Sequence, residues 1–418
     1  MSIQKLLEMN PNNYDNIKKI SIPFVEIIAK VISFINVLLL MKIINIEEYA
    51  DYAYVLNLTL WVSLFMDFGI SNLIYNKALQ KIRKGISEFV IMRVVISFFV
   101  LIIFILIIYL LKREFFIISF IISGSIFFTS ISYLFKMLAR GLGIPEVDIR
   151  IIITEPLIKL IILLFILFTI NKIHYSFVNI LVILLLVASL SFVLNLSFLN
   201  KFFKLDLYFS KSFHFFREVK QSFIESNHFF LYTLAFYSIV RMDNFFLEIN
   251  STKTELATFS SAYSLYQTAQ LFFFALITSQ MILLIKNYKY FFVFLLPLVV
   301  LAIFTVYIFS PFIYDYLFKV EYNGGEHLLN ILILALIPSV FNFYCITKNN
   351  YYDRVVNNIY ILTIVFLMKF SVYLLIHPDS AIEYIYVIII TESVISVSFI
   401  VQSLIRLNKI TVYENTSD

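Results

Sequence analysis

Residues 88–111 read EFVIMRVVISFFVLIIFILIIYLL, with two charged side chains, Glu88 and Arg93, and a run after them that is apolar but for Ser97. A helix gains about 1.5 Å per residue, so about 20 such residues cross a hydrocarbon core about 30 Å thick. The stretch reads as a transmembrane helix, and the rest of the chain repeats the pattern. Of its 418 residues 61% are hydrophobic and 14% charged, against about 45–50% and 25% in soluble proteins. No soluble core of this size hides that surplus, so lipid must solvate it.

Working outward, apolar stretches at 21–44, 49–75, 115–138, 148–170 and 177–199 join 88–111 in the first half. Those at 221–249, 256–285, 290–313, 326–347, 354–377 and 380–405 make up the second. The fold expected is an all-α polytopic membrane protein with about twelve transmembrane helices in two pseudo-symmetric six-helix bundles. The bundles take residues 1–200 and 221–405, with a linker at 201–220 and a tail at 406–418. The linker interleaves Lys201, Lys204, Lys211, Arg217 and Lys220 with phenylalanines, the pattern of a segment lying on a membrane surface. The first apolar stretch is too long for a signal-peptide core and reads as an uncleaved span.

Lysine and arginine mark cytoplasmic loops. With the N-terminus inside, the inner segments hold about twenty of them, among them Lys18, Lys19, Lys81, Arg83 and Lys84. The outer loops hold Lys42, Lys112, Arg113, Lys172, Lys253 and Lys319. Both termini are therefore expected in the cytoplasm.

Several chemistries are excluded. No G-x-x-x-x-G-K-[ST] run is present, so no nucleotide-driven motor of the P-loop type is built in. Cys345 is the single cysteine and forms no intrachain disulfide. The five histidines show no metal-ligand spacing. No cofactor and no nucleic-acid partner is expected.

Charges inside spans are the sharpest local signal, since each costs about 2.5–3.5 kcal/mol at a helix centre and tends to face a bundle interior or wet cavity. Six cations qualify: Lys30, Arg93, Lys136, Lys159, Arg241 and Lys369. Arg93 and Lys136 lie near the cytoplasmic ends and are placed to snorkel. All six are candidates to bind an anionic cargo in a hydrated cationic cavity, with snorkelling the alternative for Arg93 and Lys136. Glu26 precedes Lys30, and Glu155 precedes Lys159, by four residues, the spacing of a same-face pair. Pro156 adds a kink beside Glu155. Glu26, Asp67, Glu155 and Glu392 are the candidates for ion coupling; Glu392 has no cation within four positions. Asn57, Asn72, Asn227 and Gln270 suit interhelical hydrogen bonds.

The halves share a weak repeat. Tyr49-Ala50-Asp51-Tyr52 opens the second span and Leu256-Ala257-Thr258-Phe259 the eighth, with Leu58 matching Leu265 further on. Here the chain resembles the Wzx-type polysaccharide flippases, of the superfamily that includes the MATE exporters. Ile46-Glu47-Glu48-Tyr49-Ala50-Asp51-Tyr52-Ala53 is similar to the family's opening of helix two, and Asp67-Phe68-Gly69-Ile70-Ser71 to its close. Arg241-Met242-Asp243 sits where an R-x-D ends helix seven, and Tyr314-Asp315-Tyr316-Leu317-Phe318 with Tyr322 resembles the approach to helix ten. Ala50, Ala257 and Lys319 replace the family's usual glycines.

The resemblance implies a non-enzymatic inner-membrane O-antigen (lipopolysaccharide) flippase. Its cargo would be undecaprenyl-pyrophosphate-linked oligosaccharide, moved by alternating access from the cytoplasmic to the periplasmic leaflet. Membrane lipid and other polysaccharide-assembly membrane proteins are the remaining expected partners. Two other readings stay open: a polysaccharide polymerase or ligase, which would carry a large outer loop, and an ion-coupled MATE-like exporter, which would favour acidic cavities.

Overall fold

The computed structural model describes residues 11–79, 86–169, 175–202, 215–279, 284, 287, 289–318, 322, 324–352 and 354–415. The described elements are helical, and nine of the described helical stretches are long and apolar enough to cross a membrane. The other long helices, α2 (Ile46–Asp67), α8 (Phe215–Asn250) and α9 (Lys253–Ser279), are interrupted by polar groups such as Asn57, Asp243 and Gln270. The all-α membrane architecture read from the sequence is the one observed.

The chain divides into two compact units. Unit 1 takes residues 1–44 and 62–227; unit 2 takes 45–61 and 228–418. The second helix is thus shared, a division the sequence halves do not display. Residues 203–214 of the expected linker lie outside the described residues, and its last six residues belong to α8. At the other end of the chain, helix α14 (Ala381–Asn415) runs through most of the expected tail.

Unit 1 contains α1 (Pro11–Ile43), the end of α2, α3 (Ile70–Leu79), α4 (Ile86–Leu111), α5 (Phe116–Gly141), α6 (Pro145–Thr169) and α7 (Phe177–Phe202). Helix α1 packs along α6, while α5 touches α3, α4, α6 and α7. Ile74, Met92, Leu134, Leu138, Val147 and Leu199 close the core around α5. The expected single helix at 49–75 is broken, because Phe68 (φ 47°) and Gly69 (φ 75°) both turn left-handed between α2 and α3. Glycine takes that conformation without a Cβ penalty; phenylalanine must be held there.

Unit 2 holds the start of α2 with α8 from His228 onward, α9, α10 (Leu296–Leu317), α11 (Gly325–Leu332), α12 (Leu336–Tyr351), α13 (Val355–Ile376) and α14. Ala235, Ile239, Ile346, Leu362, Val365 and Phe399 form a shared apolar core. Asn45 caps α2: its side chain accepts the Glu48 N–H at 2.8 Å, and Glu48 accepts the Asn45 N–H at 3.1 Å. Thr252 and Glu255 repeat this reciprocal cap at the start of α9. The two caps stand at the same offset as Ala50 and Ala257, so the weak repeat extends into backbone capping.

Rings tie the start of α2 into unit 2. Tyr49 meets Tyr322 edge-on at 6.1 Å, Tyr322 meets Phe318 at 5.5 Å, and Phe318 stacks on Tyr314 at 4.5 Å. Asp51 pairs with Lys253 at 2.7 Å. Two of the motif stretches noted in the sequence, around Tyr49 and around Tyr314, therefore pack on one another. Gly325 lies against the same ladder: a Cβ there would stand 2.8 Å from Tyr314 Cζ. Gly325→Ala should cost about 1–3 kcal/mol by overpacking and break the 3.1 Å contact of the Tyr314 hydroxyl with Ser261. Thermal unfolding in detergent checks this, and adding Tyr314→Leu should return most of the loss.

Candidate functional site

The densest charge cluster in unit 1 gathers on α1, α5 and α6. Lys136 and Arg140 are four residues apart, so they share one face of α5. Both donate to the same oxygen, Glu26 Oε1 on α1, each at 2.8 Å. Arg140 also donates from Nε to Asp148 Oδ2 at 2.9 Å. Asp148 is buried in the first turn of α6, where a helix N-terminus favours negative charge. Asn36 of α1 donates to the Pro156 carbonyl at 2.9 Å and fixes α1 against α6 beside Glu155.

The expected Glu26–Lys30 pair is not formed. Glu26 turns to the two cations of α5, and Lys30 stands exposed one turn along, close enough to Lys136 to feel it as a like charge. The Glu155–Lys159 pair is present at 3.5 Å, with Glu155 also accepting from Thr129 at 3.1 Å. Lys30, Lys136, Arg140 and Lys159 thus stand among Glu26, Asp148 and Glu155. Arg140 and Asp148 were missed by the sequence reading, which ended the α5 span at Leu138. The signal was there: Arg140 continues the face that Lys136 begins.

Arg93 does not snorkel; it is fully buried. Its Nε donates to Asp67 Oδ1 at 3.0 Å and Nη2 to Ser130 at 2.6 Å, while Nη1 reaches the Met66 carbonyl and Ser97. The guanidinium therefore closes the C-terminal end of α2, where carbonyls lose helical partners. Ser71 Oγ donates to Asp67 across the break. Asp67, an ion-coupling candidate in the sequence, serves here to hold the turn at Phe68 and Gly69.

In unit 2, Lys369 is almost wholly buried and lines, with Asp243, Gln270 and Glu392, a cavity of only about 10 Å³. Its ammonium lies 2.7 Å from Asp243 Oδ1 and donates to the Ile239 carbonyl at 2.8 Å; Tyr373 also donates to Asp243. Buried charges need such partners, and this lysine was read without the aspartate 126 residues before it. Glu392 accepts from Asn342 at 2.7 Å, and Ser396 donates to the same Asn342 side chain at 2.7 Å. Gln270 bonds across helices to Ser339. Asn72 stands half-buried on α3, and Asn227 begins the boundary between units.

Arg241 differs from both buried cations. It lines a cavity of about 240 Å³ within unit 2, among Tyr54, Trp61, Phe245, Phe246 and Phe370. Its Nη1 donates to Asn57 Oδ1 at 2.6 Å, and Trp61 Nε1 donates to Ser238 at 2.9 Å on the cavity wall. No group of three or more histidine, cysteine or acidic side chains suited to a metal occurs among the described residues.

The fold has solved counterparts. An inward-facing multidrug resistance MATE family transporter of the MOP superfamily is 13% identical, with 96% of this chain and 99% of that one covered at a TM-score of 0.67. Lipid II flippase MurJ, in an inward closed conformation, is 13% identical over 91% of this chain and 87% of its own, at 0.68. The Vibrio cholerae MATE transporter VcmN in its bent form is 12% identical over 94% and 99%, at 0.54. At such identities the likeness is one of fold. No curated protein matches the sequence. A family model described as "Polysaccharide biosynthesis protein" matches residues 18–282, more than half of the chain. The chain belongs to the polysaccharide biosynthesis protein family.

Proposed function

We propose that the chain is a flippase that carries polyprenyl-diphosphate-linked oligosaccharide from the cytoplasmic to the periplasmic leaflet of a bacterial inner membrane, by alternating access and with both termini cytoplasmic. The observation that carries this reading is the sharing of Glu26 Oε1 by Lys136 and Arg140, with Lys30 exposed beside them. Two cations converging on one oxygen make an anion cradle, and a diphosphate presents the same acceptor chemistry with more charge. Glu26 fills the cradle while cargo is absent and competes with it afterwards. That competition suits transport, which needs binding weak enough to release. Lys159, partnered by Glu155 at 3.5 Å, supplies a further cation. The polyprenyl chain stays in lipid throughout.

Family membership and the shared fold of a lipid II flippase favour transport of a lipid-linked glycan over catalysis. The abundance of cations in unit 1 favours an anionic cargo over the positively charged drugs that acidic cavities accept. Coupling to a proton or sodium gradient falls to Glu392, whose partner Asn342 is neutral, and to Glu155, whose cation Lys159 stands farther off at 3.5 Å; Glu26 and Asp67 are held by cations at 2.8 and 3.0 Å.

Deleting the gene in its host should make lipid-linked repeat units accumulate on the cytoplasmic leaflet. Wild-type protein should clear them. Lys136→Gln with Arg140→Gln, inserted at normal level, should translocate at least about tenfold more slowly, since one charge-assisted contact is worth about 1.5–3 kcal/mol. Altered polymer length without cytoplasmic-leaflet accumulation would give the role to a polymerase instead. A flux indifferent to pH and sodium gradients would remove the coupling role of Glu392 and Glu155.

A further inference from the structure

Arg150 on α6 and Lys201 on α7 are drawn to one ring. The Arg150 guanidinium carbon stands 5.0 Å, and the Lys201 ammonium 6.0 Å, from the centre of Phe198. Both cations are exposed. Among the described residues neither side chain makes a hydrogen bond or an ion pair, and Glu146, four residues before Arg150, does not pair with it. Arg93, Lys136, Arg140 and Lys159 each have a carboxylate partner. Here two like charges share only a ring, and an aromatic face holds an exposed cation weakly. An anion placed between them replaces their repulsion with two attractions.

Topology sets the pair at the membrane surface. The connection from α6 to α7 falls at the opposite ends of both helices, so the start of α6 and the end of α7 lie on one side. Arg150 is about 8 Å along α6 at 1.5 Å per residue. Lys201 is the next-to-last residue of α7, where the basic 201–220 stretch begins. Cations at this depth meet lipid headgroups.

From the two cations toward the middle of the helices, the surface is apolar in two stripes. Leu157, Ile161 and Phe168 follow Arg150 at spacings of 7, 11 and 18, which return to nearly the same face of α6. Leu186, Leu190 and Val193 precede Lys201 within one face of α7. All six are exposed. Helices α6 and α7 pack together, so the stripes offer a bed for two acyl chains under a doubly cationic head. That outline fits a diacyl phospholipid with a negative headgroup.

We propose that Arg150 and Lys201 bind the phosphodiester of one anionic phospholipid, in the leaflet that meets the 201–220 stretch, with its acyl chains along the stripes of α6 and α7. Phe198 holds the two cations side by side while the lipid is absent. The site does not depend on what the Glu26 cradle carries. Asp148, which belongs to that cradle, is two residues before Arg150 and so faces the other side of α6.

Trp61 is the chain's one tryptophan. Trp61→Phe with Ser197→Trp moves the indole to an exposed position four residues before Lys201. The full chain is placed in phosphatidylcholine nanodiscs and titrated with phosphatidylglycerol, or phosphatidylcholine, bearing dibrominated chains. Brominated phosphatidylglycerol should quench the relocated indole at a mole fraction at least about fivefold below that of the choline lipid. Arg150→Gln with Lys201→Gln should erase that preference, and Trp61 in the unaltered chain should be quenched equally by both lipids. Native mass spectrometry reads the same site without the relocated reporter. There the unaltered chain should retain one phosphatidylglycerol more than the double glutamine variant. Equal quenching at position 197, a preference that survives the double substitution, the same preference at Trp61, or equal retention in the mass spectrum would overturn the proposal. Displacement of the brominated lipid by polyprenyl diphosphate at a lower mole fraction than by unlabelled phosphatidylglycerol would overturn the phospholipid assignment and give the site to a carrier lipid.

Discussion

Lys369→Met should cost unit 2 about 3–5 kcal/mol, the loss that follows when one member of a buried ion pair is removed. Both side chains are almost wholly buried, at 3% and 1% exposure for Lys369 and Asp243. The methionine fills the space of the lysine stem but leaves the Asp243 carboxylate with only the Tyr373 hydroxyl, and leaves the Ile239 carbonyl without its lysine donor. Adding Asp243→Asn removes the stranded charge and keeps an acceptor for Tyr373, so the double variant should recover most of the loss. Unfolding in mixed detergent micelles measures all three proteins. If the single variant were as stable as the wild type, the pair would contribute nothing to the fold, and a stability role for Lys369 would be wrong.

Arg93→Leu should be comparably severe, again about 3–5 kcal/mol. This guanidinium answers Asp67, the Met66 carbonyl, Ser97 and Ser130 at once, and the first two sit at the break between α2 and α3. Arg93→Lys should rescue little, because one ammonium cannot span acceptors set out for a planar fork. Pairing Arg93→Leu with Asp67→Asn should return the part of the loss due to the stranded carboxylate and not the part due to the open helix end. Thermal unfolding with a double-mutant cycle separates the two. Full recovery in the double variant would mean that the Met66 carbonyl needs no cap.

Much of the architecture was legible because membrane helices announce themselves one at a time. A run such as 88–111 needs no knowledge of its neighbours to be assigned. Charge partners are another matter. The four-residue rule compares side chains on one helix, so it put Glu26 with Lys30; the structure sends Glu26 across to α5, where Lys136 and Arg140 offer two donors for one. Lys369 and Asp243 were each visible, but nothing local joins residues 126 apart. The helix break at Phe68 and Gly69 was present as a motif and unread as geometry, since a left-handed phenylalanine is set by tertiary contacts. Arg140 was lost to a boundary placed two residues short, the ordinary error of reading helix ends.

The division of α2 between units sets the order of synthesis against the order of assembly. Asn57 leaves the ribosome 184 residues ahead of Arg241, its partner in unit 2. At about 5–20 residues per second that is a wait on the order of ten to forty seconds. Tyr49, which packs on Tyr322, waits longer still. Until then the early part of this helix lacks its Arg241, Lys253 and Tyr322 partners, and its asparagine and aspartate depend on the insertion machinery or on transient contacts. A nascent chain stalled before α8 would carry a polar helix still searching for its place, the kind of segment that membrane quality control removes.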